Sequence, residues 1–429
     1  MSRVGTQLIG SRMKCVRPQL IFAAAIVVAG VLSGLIGASI TLLVRAVQHL
    51  TYGYTRGTLL LGVLAASPER RLLGPTLGCA LAGLGWWLLR RKTTVPGLNH
   101  AIRANRPFAS LPMSVDALLQ VLAVGSGASL GREQAPRTLA AVGTELLIRS
   151  GSLSPEQRRM VLAGAAGAGL AAVYNVPAAG AVFTVGVVLH SWRPSAILVA
   201  LVTSALATVT AWPVSHGAPT FDWPPTDLTG PAAWTVVAVM PIGALVGAGF
   251  TQLMRRSRPA TPPKTWTLVP AIGFAGLATG VGSIWLPQLP GNGKSIVLES
   301  LSGAAPLAVA GVAILLKPAL TAACLRAGAV GGLITPALST GAATGAFIAL
   351  AIGQFGGHVS IPTTALIGGA AVLGVTQRAP LFAALFTAEL TRPPLDACGL
   401  LLVAALGAHA IDWINRRLIE SRRRGSPSR

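Results

Sequence analysis

Acidic residues are what this chain has least of. Only 12 of its 429 residues are Asp or Glu, and all charged residues together make up 11%. A soluble domain carries roughly 25%. So little charge cannot cover the water-facing surface of so long a chain, which points to lipid as the solvent. Cysteine is scarce too. Cys15, Cys79, Cys324 and Cys398 stand far apart without a CxxC pair, so they fit no zinc motif and imply no disulfide framework. No metal and no cofactor are expected. Nucleotide- and Ca²⁺-binding motifs are missing, as is any stretch that reads as a soluble regulatory domain.

What is abundant agrees with a membrane. Hydrophobic residues reach 52%, with 50 Gly and 30 Pro. Membrane helices tolerate both, because small residues let helices pack closely and neighbours satisfy freed backbone groups. Trp86, Trp192, Trp212 and Trp413 stand at span ends, as an interfacial belt would. The net charge of +22 raises the question of nucleic acid. Its placement answers it. Arg12, Lys14 and Arg17, then Arg90, Arg91 and Lys92, then Arg255, Arg256 and Arg258, and finally Arg416 through Arg424 all flank apolar runs. That is the positive-inside pattern. It assigns both termini to the cytoplasm and a multi-pass chain to the cell membrane, with lipid as a partner and no nucleic acid.

Long apolar segments are Leu20–Val44, Leu72–Leu89, Ala196–Ala211, Trp234–Leu253, Trp266–Leu286, Ile334–Ile352 and Cys398–Ala410. Ala117–Val124, Met160–Tyr174, Ala178–Leu189, Pro306–Leu316, Thr363–Val375 and Pro380–Leu390 are too short to cross about 30 Å of hydrocarbon upright. Broken helices at membrane depth belong to transporter interiors. The expected organisation is a cytoplasmic segment 1–18, a first membrane repeat 19–212, a linker 213–232, a second repeat 233–415 and a basic tail 416–429. Each half carries a glycine-rich break leading into a helix, Gly125–Gly131 and Gly328–Pro336.

An acid inside apolar sequence is a functional candidate by default, and Glu133 is the outstanding one. It follows the small-residue run Gly125–Gly131 and precedes the helical run Leu139 to Leu147, which places it at or near a helix N-terminus. Unpaired N–H groups and the positive dipole end there favour an anion. An ionised Glu133 would occupy that place and block it; protonated or displaced, it would leave room for a free anion. An ordinary helix cap is the competing role.

The stretch Gly125-Ser126-Gly127, Ser129 and Gly131-Arg132-Glu133 resembles the signature of the CLC family of voltage-gated chloride channels and proton/chloride antiporters, in its bacterial form without C-terminal CBS domains. Gly164 through Phe183, Gly328 through Pro336, Ala379 through Thr391 and, less tightly, Pro287 through Gly293 follow in family order. The resemblance implies an all-α polytopic membrane fold of the CLC type, with about 16 to 18 tilted and partly broken helices in two inverted repeats. It implies a homodimer with one pathway per subunit, chloride or a similar small anion as cargo, and no enzyme activity. Glu133 would be the gate. Gly131, Arg132, Gly332, Leu333 and Ile334 would offer backbone N–H groups to the anion, and Thr93 or Thr94 would supply the hydroxyl of the family's first loop.

Departures from the family set the finer expectation. Gln134-Ala135-Pro136 stands where Gly-Pro is usual, the glycines of the first loop are missing around Thr93, and no Tyr follows Tyr174. The cytoplasmic acid of proton-coupled members aligns with Val187, and no acid occurs between Glu156 and Asp222. His190, one turn further, is the candidate relay in partnership with Glu133; a bland interfacial histidine is the competing role. The expected function is chloride transport through a glutamate-gated pathway, channel-like or weakly coupled. Proton-coupled antiport is the alternative. A distant one is an intramembrane serine hydrolase, because Gly127, Ser129 and Gly131 match G-x-S-x-G.

Overall fold

The computed structural model describes residues 3–149, 153–223 and 230–424. Residues 1 and 2 of the expected N-terminal segment, 224–229 of the linker and 425–429 of the tail lie outside the described residues. The described chain is all-α, with 17 α-helices and one π-helical segment, Thr184–Leu189. In chain order the helices are α1 (Arg3–Tyr52), α2 (Leu59–Ala65), α3 (Pro68–Lys92), α4 (Leu98–Ala104), α5 (Ser110–Gly125), α6 (Gln134–Ile148), α7 (Pro155–Tyr174), α8 (Pro177–Phe183) and α9 (Pro194–Ser215). Then come α10 (Gly230–Ser257), α11 (Leu268–Trp285), α12 (Lys294–Ser302), α13 (Leu307–Arg326), α14 (Ile334–Gln354), α15 (Ile361–Gln377), α16 (Pro380–Thr391) and α17 (Leu395–Arg424). Among the described residues eight helices are long and apolar enough to cross a membrane.

Local chemistry sets many of these boundaries. Proline stands in the first turn of α3, α7, α8, α9, α15 and α16, where its missing N–H costs nothing. Ser154 and Gln157 form a capping box on α7. Asn175, Arg378 and Arg392 take left-handed backbone to end α7, α15 and α16.

The chain forms two compact units. One holds residues 1–41, 94–117 and 136–218. Its centre is α7, buried from Met160 to Tyr174. Alanine and glycine make that possible: Gly37 of α1 abuts Ala172, and Ser33 donates to the Ala165 carbonyl at 3.3 Å. Glu145 of α6 is fully buried here, between Arg149 at 3.0 Å and Arg158 at 3.2 Å. Glu133 is therefore not the only acid in an apolar setting, but Glu145 is neutralised by two guanidinium groups.

The other unit holds residues 42–93, 118–135 and 219–429. At its core α14 and α15 meet backbone to backbone, Gly341 against Gly368 and Gly345 against Thr364. α15 is buried from Thr363 to Val375, so this short helix is covered by protein, as a broken membrane helix must be. A methyl on Gly345 would overlap the Thr364 carbonyl. Overpacking costs about 1–3 kcal/mol, against roughly 1 kcal/mol of helix propensity gained. Gly345→Ala is thus expected to lower the thermal unfolding midpoint of the purified protein; an unchanged or raised midpoint would count against this packing.

One segment differs from expectation. Pro306–Leu316 reads as a short piece because a Lys-Pro pair follows it. The helix instead continues through Lys317 and Pro318 to Arg326, long enough to span. Lys317 does not interrupt it because its charge is satisfied inside the protein.

Candidate anion site

α5 ends at Gly125, and the chain then turns rather than continuing as a helix. Gly127 has φ of 118°, a conformation that a side chain would strain, and the Tyr52 hydroxyl lies where its Cβ would be. Tyr52 is buried and donates to the Ser126 carbonyl at 3.3 Å. The segment preceding Ser129 is thus a helix, not the strand that a nucleophile elbow needs. The Ser129 hydroxyl, fully buried, lies 3.1 Å from that of Thr321.

The two glycine-rich breaks meet. Gly131 N–H donates to the Gly332 carbonyl at 2.8 Å, and Gly332 N–H donates back to Gly131 at 2.9 Å. This lone antiparallel bridge is the only strand-like pairing among the described residues. It spends the amides of Gly131 and Gly332 on each other.

Beyond the bridge lies Glu133, immediately before α6 and 1% exposed. Its carboxylate reaches beyond its own helix. It reaches the first turn of α14, where Ile334 N–H donates to Oε1 at 2.6 Å and the Thr335 hydroxyl donates to Oε2 at 3.0 Å. The α14 N-terminus adds about half a positive elementary charge. A methyl at Gly131 or at Gly332 would overlap the carboxylate. Neither glycine has positive φ, so their smallness here makes room for the carboxylate rather than easing a turn. What the arrangement can do is hold one anionic group, with an amide, a hydroxyl and a helix dipole aimed at it, in a space that glycine keeps open.

The structure thus brings together Glu133, Gly131, Gly332 and Ile334, with Arg132 and Leu333 as their chain neighbours. Thr335 is the ligand that sequence reasoning passed over; a hydroxyl between Ile334 and Pro336, in the first turn of a helix, was the signal. Thr335→Val removes one donor to a charged group, worth about 1.5–3 kcal/mol. If Glu133 gates chloride as the family resemblance implies, chloride flux at neutral pH is expected to rise several-fold as the carboxylate is held less firmly; an unchanged flux would show that this hydroxyl does not restrain it.

The remaining expected residues lie elsewhere in the chain. Thr93 ends α3, its N–H donating to the Leu89 carbonyl at 3.1 Å, and Thr94 is exposed in the following loop. His190, in the unit centred on α7, ends the π-helical segment with φ of 51°. Its Nδ1 lies 2.7 Å from the Gly186 carbonyl. It lines a cavity of about 280 Å³ with Glu156, Arg159 and Arg193.

Comparison with known proteins adds to this geometry. Residues 78–412 match the sequence model of the family described as voltage gated chloride channel. A protein of Ralstonia nicotianae named ClcB-like is 30% identical over 356 residues, covering 79% of this chain and 82% of that protein. The voltage-gated ClC-type chloride channel ClcB of Salmonella typhimurium is 27% identical over 395 residues, 88% of this chain and 93% of its own. Among solved structures, a slow cyanobacterial Cl⁻/H⁺ antiporter superposes with a TM-score of 0.76 at 20% identity, over 91% of this chain and 94% of that one. A CLC-type fluoride/proton antiporter does so with 0.66 at 19% identity, over 91% and 95%. At such identity the structural likeness is one of fold.

Proposed function

The chain belongs to the voltage-gated chloride channel family, CLC, whose business is anion transport across membranes, and from that premise we propose that it exchanges chloride for protons, with Glu133 as the group that does both jobs. The observation that carries the reading is the Glu133 carboxylate at the α14 N-terminus, held by Ile334 and Thr335. Chloride and a carboxylate want the same things there: N–H donors, a hydroxyl and the dipole. They compete for one place. When Glu133 takes up a proton it no longer carries the charge that the amide and dipole hold, and chloride replaces it. When the proton leaves, the carboxylate returns and expels the anion. Each cycle thus sets one proton movement against chloride movement.

Uncoupled conduction is the reading that Val187 favours in the sequence. Support for exchange comes from two solved structures of this fold that are described as proton antiporters. In this reading His190 receives protons on the cytoplasmic side, in place of the acid missing at Val187. The amides of Arg132 and Leu333 join Ile334 around the anion, Gly131 and Gly332 shape its space, and Thr93 or Thr94 supplies a further hydroxyl. The protein works as a homodimer in the cell membrane with cytoplasmic termini, and the segments 19–212 and 233–415 are its two repeats.

The test is transport by the purified protein in liposomes. With an outward chloride gradient and voltage clamped at zero, protons are expected to move uphill as chloride leaves. Chloride flux without proton movement would return the protein to uncoupled conduction. No chloride flux at all would overturn the anion reading.

A further inference from the structure

Lys317 has no part in the site as described, yet it is fully buried in the middle of a membrane-crossing helix. It does not reach toward headgroups. Its ammonium donates to the Leu289 carbonyl at 3.0 Å and to the Gly291 carbonyl at 2.6 Å. Among the described residues no carboxylate lies within ion-pair distance of it. A buried cation in hydrocarbon is costly and marks function by default. Carbonyl dipoles solvate this one without cancelling its charge.

The carbonyls it holds lead to the anion site. Gly291 has φ of 75°, and its N–H donates to the Gly127 carbonyl at 3.1 Å. Thus the ammonium fixes Gly291, and Gly291 fixes the turn that ends in Gly131-Arg132-Glu133. One turn along α13, the Thr321 hydroxyl donates to the Lys317 carbonyl at 2.9 Å and lies 3.1 Å from that of Ser129. α13 therefore grips the Gly127–Gly131 turn at both ends of its first half.

We propose that Lys317 is a positioning residue of the anion site, setting the Gly127–Gly131 turn through Gly291. This rests on the anion-transport reading and adds the element that tunes its affinity. A lysine that merely filled space and satisfied two carbonyls would affect folding, not the chloride concentration at which transport saturates.

The experiment measures chloride flux against chloride concentration in liposomes for the wild type and Lys317→Met, normalised to folded protein. Losing a charged hydrogen-bonding group should raise the half-saturating concentration about tenfold or more, with the maximal flux within about twofold. Unchanged half-saturation in Lys317→Met, with a saturable wild type, overturns this proposal alone. A wild type that carries no chloride overturns the anion reading and this proposal with it. If Lys317→Met does not fold, Thr321→Val removes the second tether and keeps the charge. A rise of about threefold in half-saturation then supports the proposal, since a neutral hydrogen bond is worth less. Unchanged half-saturation in Thr321→Val overturns it.

Discussion

Replacing Glu133 by Gln is expected to abolish uphill proton movement and to leave chloride flux flat from acid to neutral pH. Glutamine keeps the shape of the protonated acid and never carries a charge. Ile334 N–H and the Thr335 hydroxyl, which bind the carboxylate at 2.6 and 3.0 Å, would then be available to chloride at every pH. The helix dipole would act on the free anion alone. At neutral pH the variant should conduct faster than the wild type, because the tethered rival is gone. The measurement is paired recording of chloride release and external pH from the same liposomes. A variant that still drives protons uphill would remove Glu133 from the mechanism.

Gly332→Ala should produce the largest loss. Its methyl would overlap the Glu133 carboxylate, and the backbone at this position accepts alanine without strain. If chloride takes the place of the carboxylate, the methyl excludes both. Overpacking of this kind costs about 1–3 kcal/mol, so flux should fall by roughly fivefold to a hundredfold. Combining it with Glu133→Gln separates two explanations. If the methyl only pushed the carboxylate aside, the double variant would transport freely. The competition argument expects it to stay slow, because the obstructed space is the anion's own. Recovery of flux in the double variant would show that chloride passes by another route.

How much of this was visible in the sequence depends on the distance over which residues act. Glu133 at a helix start, the glycine breaks and the membrane-crossing helices are local patterns, and they were legible. Other features required contacts that spacing does not encode. Glu133 accepts from the N-terminus of α14, 201 residues away in sequence. Glu145 has Arg149 one helical turn away in the sequence, but its second partner, Arg158, comes to its side only through folding. Lys317 reads as the end of an apolar run, whereas it lies inside a helix and its partners, the Leu289 and Gly291 carbonyls, come from the loop between α11 and α12. Hydropathy treats a charge as a boundary; it has no term for carbonyls that arrive from elsewhere to solvate it. The family resemblance identified the second loop as relevant, but the mutual pairing of Gly131 with Gly332 is a matter of geometry alone.

The same separation has a consequence for how the molecule is made. At roughly 5–20 residues per second, a ribosome emits Glu133 some 10 to 40 seconds before Ile334. Throughout that interval the first half has entered the bilayer without the amide, hydroxyl and bridging glycine that later receive its carboxylate. The nascent chain must keep Glu133 hydrated or protonated in the meantime. Assembly of the site is then a late event of biosynthesis, and a truncated product that ends before α14 would leave the insertion machinery with an acid it cannot bury.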